Sequence, residues 1–255
     1  MFASSRLLFR HLDRTESTQD IAKQVIPSLE TNQILAVTTT EQTNGRGTSG
    51  RAWIGRKGNV FLTVALKSSE VPTILTLLPL QVGILVAECI DKIIKDICVA
   101  SDISVCLKWP NDVLINQEKV AGTLIESMVI QGDIWLIIGI GVNVAVSPGV
   151  PSDGPNRGRP STCLQEVCRD VQLPESTAQV FAQDFAERLV KWLEQPSSTS
   201  KKVIEDWKGW ASFGQPQVIR DTNETVIPVD IRDDGQLVVM GEDGRERLLV
   251  ADYLF

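Results

Sequence analysis

Apolar and polar residues follow a strand–helix–strand pattern at the start of the chain. The apolar run Leu7–Leu12 predicts a short strand, and the β-branched run Ile34–Thr40 predicts a second one. Between them, Ser17 offers a hydroxyl that suits a helix N-terminus, and apolar residues at helical spacing continue up to Pro27. We therefore expect a helix there that stops at the proline.

The middle of the chain combines one long helical pattern with several strand patterns. The predicted elements are a strand over Asn59–Lys67, a helix over Thr73–Ile97, and strands over Ile103–Leu107, Val113–Ile115, Val120–Val129 and Ile134–Val144. Short polar turns at residues 116–117 and 131–133 join the last strands. Because consecutive hairpins pair neighbouring strands in opposite directions, we expect a mainly antiparallel mixed sheet flanked by helices.

The rest of the chain changes from loop to helices to short strands. Residues 146–160 hold four prolines and three glycines, which predicts a mobile loop. Helices are expected over Ser161–Cys168, Pro174–Leu193 and Ser200–Trp210. After Gly214, short apolar runs alternate with Asp-Asp-Gly and Glu-Asp-Gly turns. The predicted fold class is α+β, with a main domain over residues 1–210 and a small β-barrel-like domain over residues 211–255.

Composition narrows the class of protein. The chain has 255 residues, of which 43% are hydrophobic, and this suits one large domain with a small appendage. A net charge of −7 argues against binding to nucleic acid or to an anionic membrane surface. The apolar stretches are too short or too interrupted to span a bilayer, and no signal peptide pattern is present.

The cysteine and histidine residues argue against a metal site. The five cysteines form no Cys-x-x-Cys pair, and His11 is the only histidine, so zinc binding is not expected. This usage is typical of a reduced cytoplasmic protein with buried thiols. A Ser-His-Asp hydrolase would have to use His11, and the Gly-x-Ser-x-Gly motif of such enzymes is absent.

A glycine-rich loop carries the first candidate chemistry. Gly45–Arg51 packs three glycines and two arginines into seven residues, which favours binding of a phosphate or a carboxylate. A glycine-rich turn with solvated arginines is the alternative. The Gly-x-Gly-x-x-Gly match alone is weak, because no helix is predicted to open after it, as a dinucleotide site requires. The Gly-x-x-x-x-Gly-Lys-Ser/Thr pattern of a phosphate-binding Walker loop does not occur.

Two further motifs follow. The first is the corner Lys108–Asp112, where Pro110 ends a strand abruptly, so that Lys108 is able to point into a cleft. The alternative is that Lys108 is an ordinary lysine at the end of a strand, followed by an Asn-Asp turn. The run Lys119–Gly122 then brings a small residue where backbone approaches a ligand. Gly139-Ile140-Gly141-Val142-Asn143 has two glycines that weaken a strand unless something must come close to it, and a bulged strand is the alternative.

These three motifs, in this order and at these separations, resemble those of the biotin–protein ligases. The similarity begins at Glu16–Asp20, similar to the family's Ser-Thr-Asn start, and covers about residues 6–195. It implies a class II synthetase-like catalytic domain over residues 1–210, and the C-terminal segment fits the family's small SH3-like domain. The motifs are specific together, although each alone is not.

The resemblance implies a reaction in two steps. The biotin carboxylate attacks the α-phosphate of MgATP and gives biotinyl-5′-AMP and pyrophosphate, and a lysine of a biotin carboxyl carrier protein, the acetyl-CoA carboxylase subunit, then takes the biotinyl group. A carboxylate is ionised at neutral pH, so the first step needs no general base. A homodimer and a cytoplasmic location are compatible with the resemblance, and no nucleic acid or membrane partner is implied.

The site residues implied by the resemblance fall into three sets. Lys108 and Arg46 would be catalytic. The biotin-binding set would be Ser17, Thr18, Gln19, Gln42, Gly45, Arg46, Gly47, Lys108, Gly122, Gly139 and Gly141. The nucleotide-binding set would be Arg46, Arg51, Trp53, Lys108, Asn111, Asn143, Arg157 and Arg159. The resemblance implies a Mg²⁺ ion that accompanies ATP. It implies no residue that ligates a metal directly.

The sequence departs from the family pattern in two places. Thr48 stands where many members have a second arginine, which predicts weaker retention of the reactive adenylate unless Arg56 or Lys57 compensates. Gln19 stands where the usual tripeptide has asparagine. The first ligase motif starts at Ser17, which leaves no room in this sequence for the N-terminal DNA-binding domain of some members, so regulation by DNA binding is not expected.

Two other functions stay open from the sequence alone. Lipoate–protein ligases share the catalytic fold and the adenylate chemistry, but the Gly-Arg-Gly and Lys-Trp-Pro-Asn-Asp motifs argue against them. A non-catalytic module that binds biotin or a nucleotide is the second alternative, and the presence of both Arg46 and Lys108 argues against it. The sequence does not fix which acid, Asp112 or another, takes the proton of the acceptor lysine.

Overall fold

The computed structural model describes residues 6–30, 32–98, 102–149, 159–195, 200–219 and 222–249. The strands are β1 (Leu7–Thr15), β2 (Ile34–Gln42), β3 (Gly45–Arg46), β4 (Ala52–Trp53), β5 (Val60–Lys67), β6 (Val105–Lys108), β7 (Asp112–Ile115), β8 (Glu118–Ile130), β9 (Asp133–Val142), β10 (Gln217–Val218), β11 (Thr225–Ile231), β12 (Leu237–Gly241) and β13 (Glu246–Leu249). The helices are α1 (Thr18–Val25), α2 (Leu78–Ile97), α3 (Leu164–Val167), α4 (Thr177–Leu193) and α5 (Ser200–Trp210).

A seven-stranded mixed sheet with the order β1-β2-β5-β9-β8-β7-β6 forms the centre of the molecule. The β1–β2 pair is parallel, and the other neighbours are antiparallel. Helix α1 covers one face and packs on β2, β5 and β9, whereas α2, α4 and α5 belong to the large core on the other side. The predicted α+β class with a mainly antiparallel sheet flanked by helices is thus confirmed.

The C-terminal strands form a separate antiparallel sheet with the order β10-β11-β12-β13. Their inward-facing side chains, Val226, Ile231, Leu237, Val239 and Leu249, join the same core as α2 and α4. Within the described residues this sheet is open, because the short β10 pairs only with β11 and β13 pairs only with β12. The closed barrel expected from the turn pattern is therefore not observed there.

Several predicted boundaries were wrong for identifiable reasons. Helix α2 begins at Leu78 instead of Thr73, because Pro79 fits only the first turn of a helix. In a helix begun at Thr73 it would lack the interior hydrogen bond and clash with the preceding turn. The expected helix Ser161–Cys168 is reduced to α3, because the Thr162 N–H donates to the Lys119 carbonyl and residue 161 bridges to β8. Residues 146–149 and 159–160 of the expected loop are irregular, and the rest of it lies outside the described residues.

The cysteines differ from the expectation of five reduced thiols. Cys98, which ends α2, forms a disulfide with Cys168, which follows α3, and their Cα atoms are 5.2 Å apart. Cys89, Cys106 and Cys163 are free and buried, and burial raises the pKa of each thiol. A pairing across 70 residues has no local signal in the sequence.

No described helix has the length and apolar character needed to cross a membrane.

Phe185→Ala is expected to lower the free energy of unfolding by about 3–5 kcal/mol, because it leaves a cavity in the core. Phe185 is fully buried on α4 and stacks on Phe181, with their ring centroids 6.4 Å apart. Val180→Ala on the same helix is the control, since Val180 is 56% exposed and its truncation should cost less than about 0.5 kcal/mol. Urea unfolding measures both, and equal losses would contradict this packing.

Candidate active site

A cleft with a volume of about 670 Å³ lies on the central sheet, beneath the glycine-rich loop. Its walls include residues from every sequence motif: Thr18, Gln19, Gln42, Arg46, Gly47, Arg51, Trp53, Asn111, Gly122, Gly139, Gly141, Asn143 and Arg159. Ser17, Gly45 and Lys108 are buried and are not among the lining residues. Arg157 lies outside the described residues. The structure therefore brings the motifs together around one space.

Three glycines form a floor without side chains. The pairing of β8 with β9 sets Gly122 opposite Gly141, and Gly139 lies two residues before Gly141 on β9. A Cβ atom at Gly141 would lie 2.3 Å from Cε2 of Trp53, and one at Gly139 would lie 3.0 Å from Cδ of Gln19. The indole of Trp53 thus lies directly on the floor, and any larger residue at Gly141 would displace it.

One wall of the cleft is a hydroxyl and amide cluster where α1 begins and β2 ends. The side-chain amide oxygen of Gln42 accepts from the Thr18 backbone N–H at 2.9 Å and from the Thr18 hydroxyl at 3.2 Å. The Thr18 and Thr63 hydroxyls lie 2.8 Å apart, and Gln19 donates to the Leu124 carbonyl at 3.3 Å. Because these side chains hold one another, the wall presents polar atoms in fixed positions.

The Arg46 guanidinium is held by acidic residues beside the cleft. Both of its terminal nitrogens donate to the Asp20 carboxylate at 2.8 Å, and Glu126 lies 3.6 Å away. This hydrogen bonding raises the pKa of Arg46 and lowers the pKa of Asp20. Lys23 pairs with Glu126 at 2.9 Å, so the cluster holds two acids and two cations. An incoming phosphate would have to compete with Asp20 for Arg46.

Two lysines and one acid lie on the opposite side of the floor. Lys108 on β6 is only 4% exposed, and burial lowers its pKa to about 8 although Asp112 opposes that change. Lys119 on β8 lines the cleft, with its Nζ 2.6 Å from Asp112 and 5.5 Å from the centroid of the Trp53 ring. Burial raises the pKa of Asp112, but Lys119 and Lys108 outweigh burial, so the carboxyl has a lowered pKa.

Lys119 is the cleft residue that the sequence reasoning missed. The run Lys119–Gly122 predicts only a small residue beside a ligand, and the resemblance implies the catalytic role for Lys108 at the proline corner. The sequence carried no signal for this, because residues three apart on a regular strand face opposite sides of the sheet. A bulge at Val120 in the β7–β8 pairing turns Lys119 to the same side as Gly122, where a Cβ would lie 3.0 Å from its Nζ. Lys108 is buried behind the cleft wall and does not line the cleft. Its role at the site therefore stays a prediction.

Three buried polar atoms at the cleft have no hydrogen-bond partner among the described residues. They are Nε1 of Trp53, Oγ1 of Thr123 and Oδ1 of Asn143. The Asn143 side chain is fixed through its nitrogen, which donates to the Thr162 carbonyl at 3.2 Å. Because unpaired buried polar groups are costly, these atoms fit a ligand that offers both donors and acceptors.

The described part of the chain holds no group of three or more His, Cys, Asp or Glu side chains arranged for a metal ion. The cleft instead combines cations with a flat, unsubstituted floor. This arrangement suits an anionic ligand with a flat portion, held between the glycine-rich loop and the central sheet.

Comparison with known proteins identifies the family of this chain. Residues 11–143 match a family model described as the biotin/lipoate A/B protein ligase family. The biotin–[acetyl-CoA-carboxylase] ligase of Paracoccus denitrificans is 31% identical over 249 residues, covering 96% of this chain and 99% of the relative.

Solved structures show the same fold. A biotin protein ligase from Leishmania major in complex with biotin superposes with a TM-score of 0.67 at 27% identity, covering 98% of this chain and 100% of that one. The same ligase in complex with biotinyl-5-AMP gives a TM-score of 0.63 at 26% identity, with coverage of 98% and 100%. The matched residues include the glycine-rich loop, the proline corner and the glycine floor, and this chain belongs to the biotin/lipoate A/B protein ligase family.

Proposed function

We propose that this protein is a biotin–protein ligase, which activates biotin with MgATP to biotinyl-5′-AMP and transfers biotin to a lysine of a biotin carboxyl carrier protein. The observation that carries the proposal is the meeting of the glycine-rich loop, the glycine floor and the Lys119 ammonium at one cleft. Relatives that are similar over nearly the whole chain support biotin over lipoate as the substrate.

Biotin occupies the end of the cleft between α1 and the floor. The ureido head has both donors and acceptors, and the buried Ser17, Thr18 and Gln19 together with the half-buried Gln42 offer hydroxyl and amide groups to match them. Gly139, Gly141 and Gly122 let the flat ring and the tail lie close to the strands. This placement requires the Trp53 indole to move off the floor when biotin enters.

In the first step, an oxygen of the biotin carboxylate forms a bond to the α-phosphorus of ATP. The bond between that phosphorus and the bridging oxygen breaks, and pyrophosphate leaves with the electron pair. Mg²⁺ enters with the phosphate groups that bind it and offsets part of their charge. Since no proton is transferred in this step, the protein contributes fixed cations and exclusion of water.

Lys119 is the cation that touches the reacting groups. Asp112 fixes its ammonium at 2.6 Å, so it is oriented before the substrate arrives. Lys108 adds a buried positive charge behind Asp112, and Arg46 with the Gly45 and Gly47 backbone holds the phosphate side of the loop. Asp20 releases Arg46 for this contact at the cost of their bidentate pair.

The nucleotide occupies the end of the cleft near Asn143. The unpaired Oδ1 of Asn143 accepts a hydrogen bond from an amino or hydroxyl group of the adenosine. The Trp53 indole, once it has left the floor, offers its face to the adenine. The remaining nucleotide-binding residues in this proposal are Arg51, Asn111, Arg157 and Arg159.

In the second step, the amine of the acceptor lysine attacks the acyl carbon of the mixed anhydride. A C–N bond forms, the bond from that carbon to the phosphate oxygen breaks, and AMP leaves. The proton that the amine loses passes to solvent or to a carboxylate at the cleft. Asp112 is a weak base for this step, because its pKa is lowered, it pairs with Lys119 and it does not line the cleft. The acceptor is the carrier subunit of acetyl-CoA carboxylase.

Some expectations from the sequence stay predictions. These are the division into a catalytic domain over residues 1–210 and a C-terminal domain over residues 211–255, and the class II synthetase-like and SH3-like character of the two. The possible homodimer and the cytoplasmic location are likewise predictions.

Isotope exchange between ATP and pyrophosphate tests the first step, and mass spectrometry of a biotin carboxyl carrier domain tests the second. We expect biotin to support exchange and lipoate to give none. Exchange with lipoate alone would favour a lipoate–protein ligase. Binding of biotin without any exchange would favour a non-catalytic binding module.

Lys119→Met is expected to lower the exchange rate by about a hundredfold, because it removes a preorganised cation at the reacting phosphate. Lys67→Met is a matched control. Lys67 is also on a strand, pairs with Asp133 at 2.6 Å and lies 5.8 Å from the centroid of the Trp135 ring, but it does not line the cleft. The control should keep its rate within about twofold. Similar losses in both would rule out a special role for Lys119.

The kcat/KM for ATP is expected to fall as pH rises through about 8, where the lowered pKa of Lys108 removes its charge. A lysine with its ordinary pKa would lose its charge only above pH 10. Lys108→Ala should keep its fold, lose most of the rate and lose this alkaline decline. A decline near pH 8 that persists in the variant would assign it to another group.

Thr48→Arg is expected to slow release of biotinyl-5′-AMP by about tenfold, because it restores a charge-assisted hydrogen bond to the adenylate. Thr48 lines the cleft, and its hydroxyl accepts from Arg51 at 2.8 Å. Thr43→Arg adds the same charge outside the cleft and should leave release unchanged. The adenylate dissociation rate decides the matter, and equal rates for Thr48→Arg and wild type would refute the idea.

A further inference from the structure

The indole of Trp109 joins the proline corner to the C-terminal sheet. Trp109 is 4% exposed, and its Nε1 donates to the Gly235 carbonyl at 2.9 Å, across 126 residues of sequence. Gly235 lies in the turn between β11 and β12 and has a φ of +86°. A Cβ there would lie 3.0 Å from the Leu77 side chain, so the turn is closely seated against the segment that precedes α2.

The corner is held on its other side by the central sheet. The Asn111 side chain donates to the Thr123 carbonyl at 2.8 Å, and the Thr123 N–H donates back to the Asn111 carbonyl at 3.0 Å. The Leu107 carbonyl accepts from Ser212 at 3.3 Å, where the chain leaves α5. The corner therefore lies between two anchors, Thr123 at the cleft and Gly235 in the C-terminal sheet.

Asp112 and Lys119 connect the corner to the cleft. Lys108 and Asp112, at the two ends of the corner, are paired in the β6–β7 register. The Asp112 carboxylate holds the Lys119 ammonium at 2.6 Å. A shift of the corner thus moves Asp112, and with it the ammonium that faces the substrate.

We propose that Trp109 is a positioning residue and that the Gly235 turn is its anchor, so that the C-terminal sheet sets the placement of Asp112 and Lys119. This inference rests on the proposed ligase function. The C-terminal sheet contributes to adenylation without lining the cleft. The hydrogen bond is essential to this role. When either partner is removed, the other buried polar group, the indole N–H or the Gly235 carbonyl, is left unsatisfied, and this drives the corner to rearrange.

Trp109→Phe tests the bond, because it removes the donor and keeps an aromatic ring in place. We expect kcat for biotin-dependent exchange to fall by about tenfold, as for a small misplacement of reacting groups, with the KM for biotin within about twofold of wild type. Trp135→Phe is the matched control. Trp135 is 5% exposed, lies among the residues beneath α1 and does not line the cleft, so its kcat should be unchanged.

Gly235→Ala approaches the same bond from the C-terminal sheet. It strains a backbone with positive φ and adds a methyl group near Leu77, which shifts the turn. We expect a similar loss of kcat, and the double variant with Trp109→Phe should lose no more than either alone. Gly235→Ala combined with Trp135→Phe should show only the Gly235→Ala loss. If Trp109→Phe does not fold, the kcat of Gly235→Ala decides the question.

The outcomes separate the two ideas. Absence of biotin-dependent exchange in the wild-type chain would refute the proposed function. Normal exchange in wild type, together with a Trp109→Phe variant that melts at a lower temperature but keeps its kcat, would refute the positioning role. Losses that multiply in the Trp109→Phe/Gly235→Ala double variant would also refute it, because the two changes would then act independently.

Discussion

The register between β8 and β9 is the constraint on which the site depends. It places Gly122 opposite Gly141, so two adjacent strands present bare backbone at the same point. A slip of one residue would reverse which side chains face the cleft and would close it. Such a register is strongly specified, because Ile138 and Ile140 on the same strand are packed in the core. The core therefore fixes the position of the floor, and the loops are assembled around it.

Two of the cations at this cleft, Lys119 and Arg46, have acidic partners. Lys119 lies against Asp112, and Arg46 lies against Asp20 and Glu126. The carboxylates orient the cations and reduce the repulsion between them before an anion binds. An anionic ligand then meets the Lys119 ammonium already in place, which is how an enzyme stabilises charge without rearrangement during the reaction, whereas Arg46 must first exchange Asp20 for the ligand.

The sequence was sufficient for the elements with strong periodicity and for the residues of the motifs. Helix α5 has the predicted bounds, and the strands from β5 to β9 occur within a few residues of their predicted positions. Lys119 was missed because a side chain's distance from the cleft depends on strand pairing, which spacing alone does not give. The open C-terminal sheet and the Cys98–Cys168 bond depend on contacts between distant segments, and no local pattern encodes them.

The bond between Cys98 and Cys168 has a topological consequence. It closes residues 98–168 into a covalent ring that contains the proline corner, Lys119, the glycine floor and Asn143. A protease that cuts once inside the ring opens it but releases no fragment, so the two pieces stay tethered. The segment with the most cleft residues is thereby protected against separation by a single backbone break, whereas the glycine-rich loop, which precedes the ring, has no such tether.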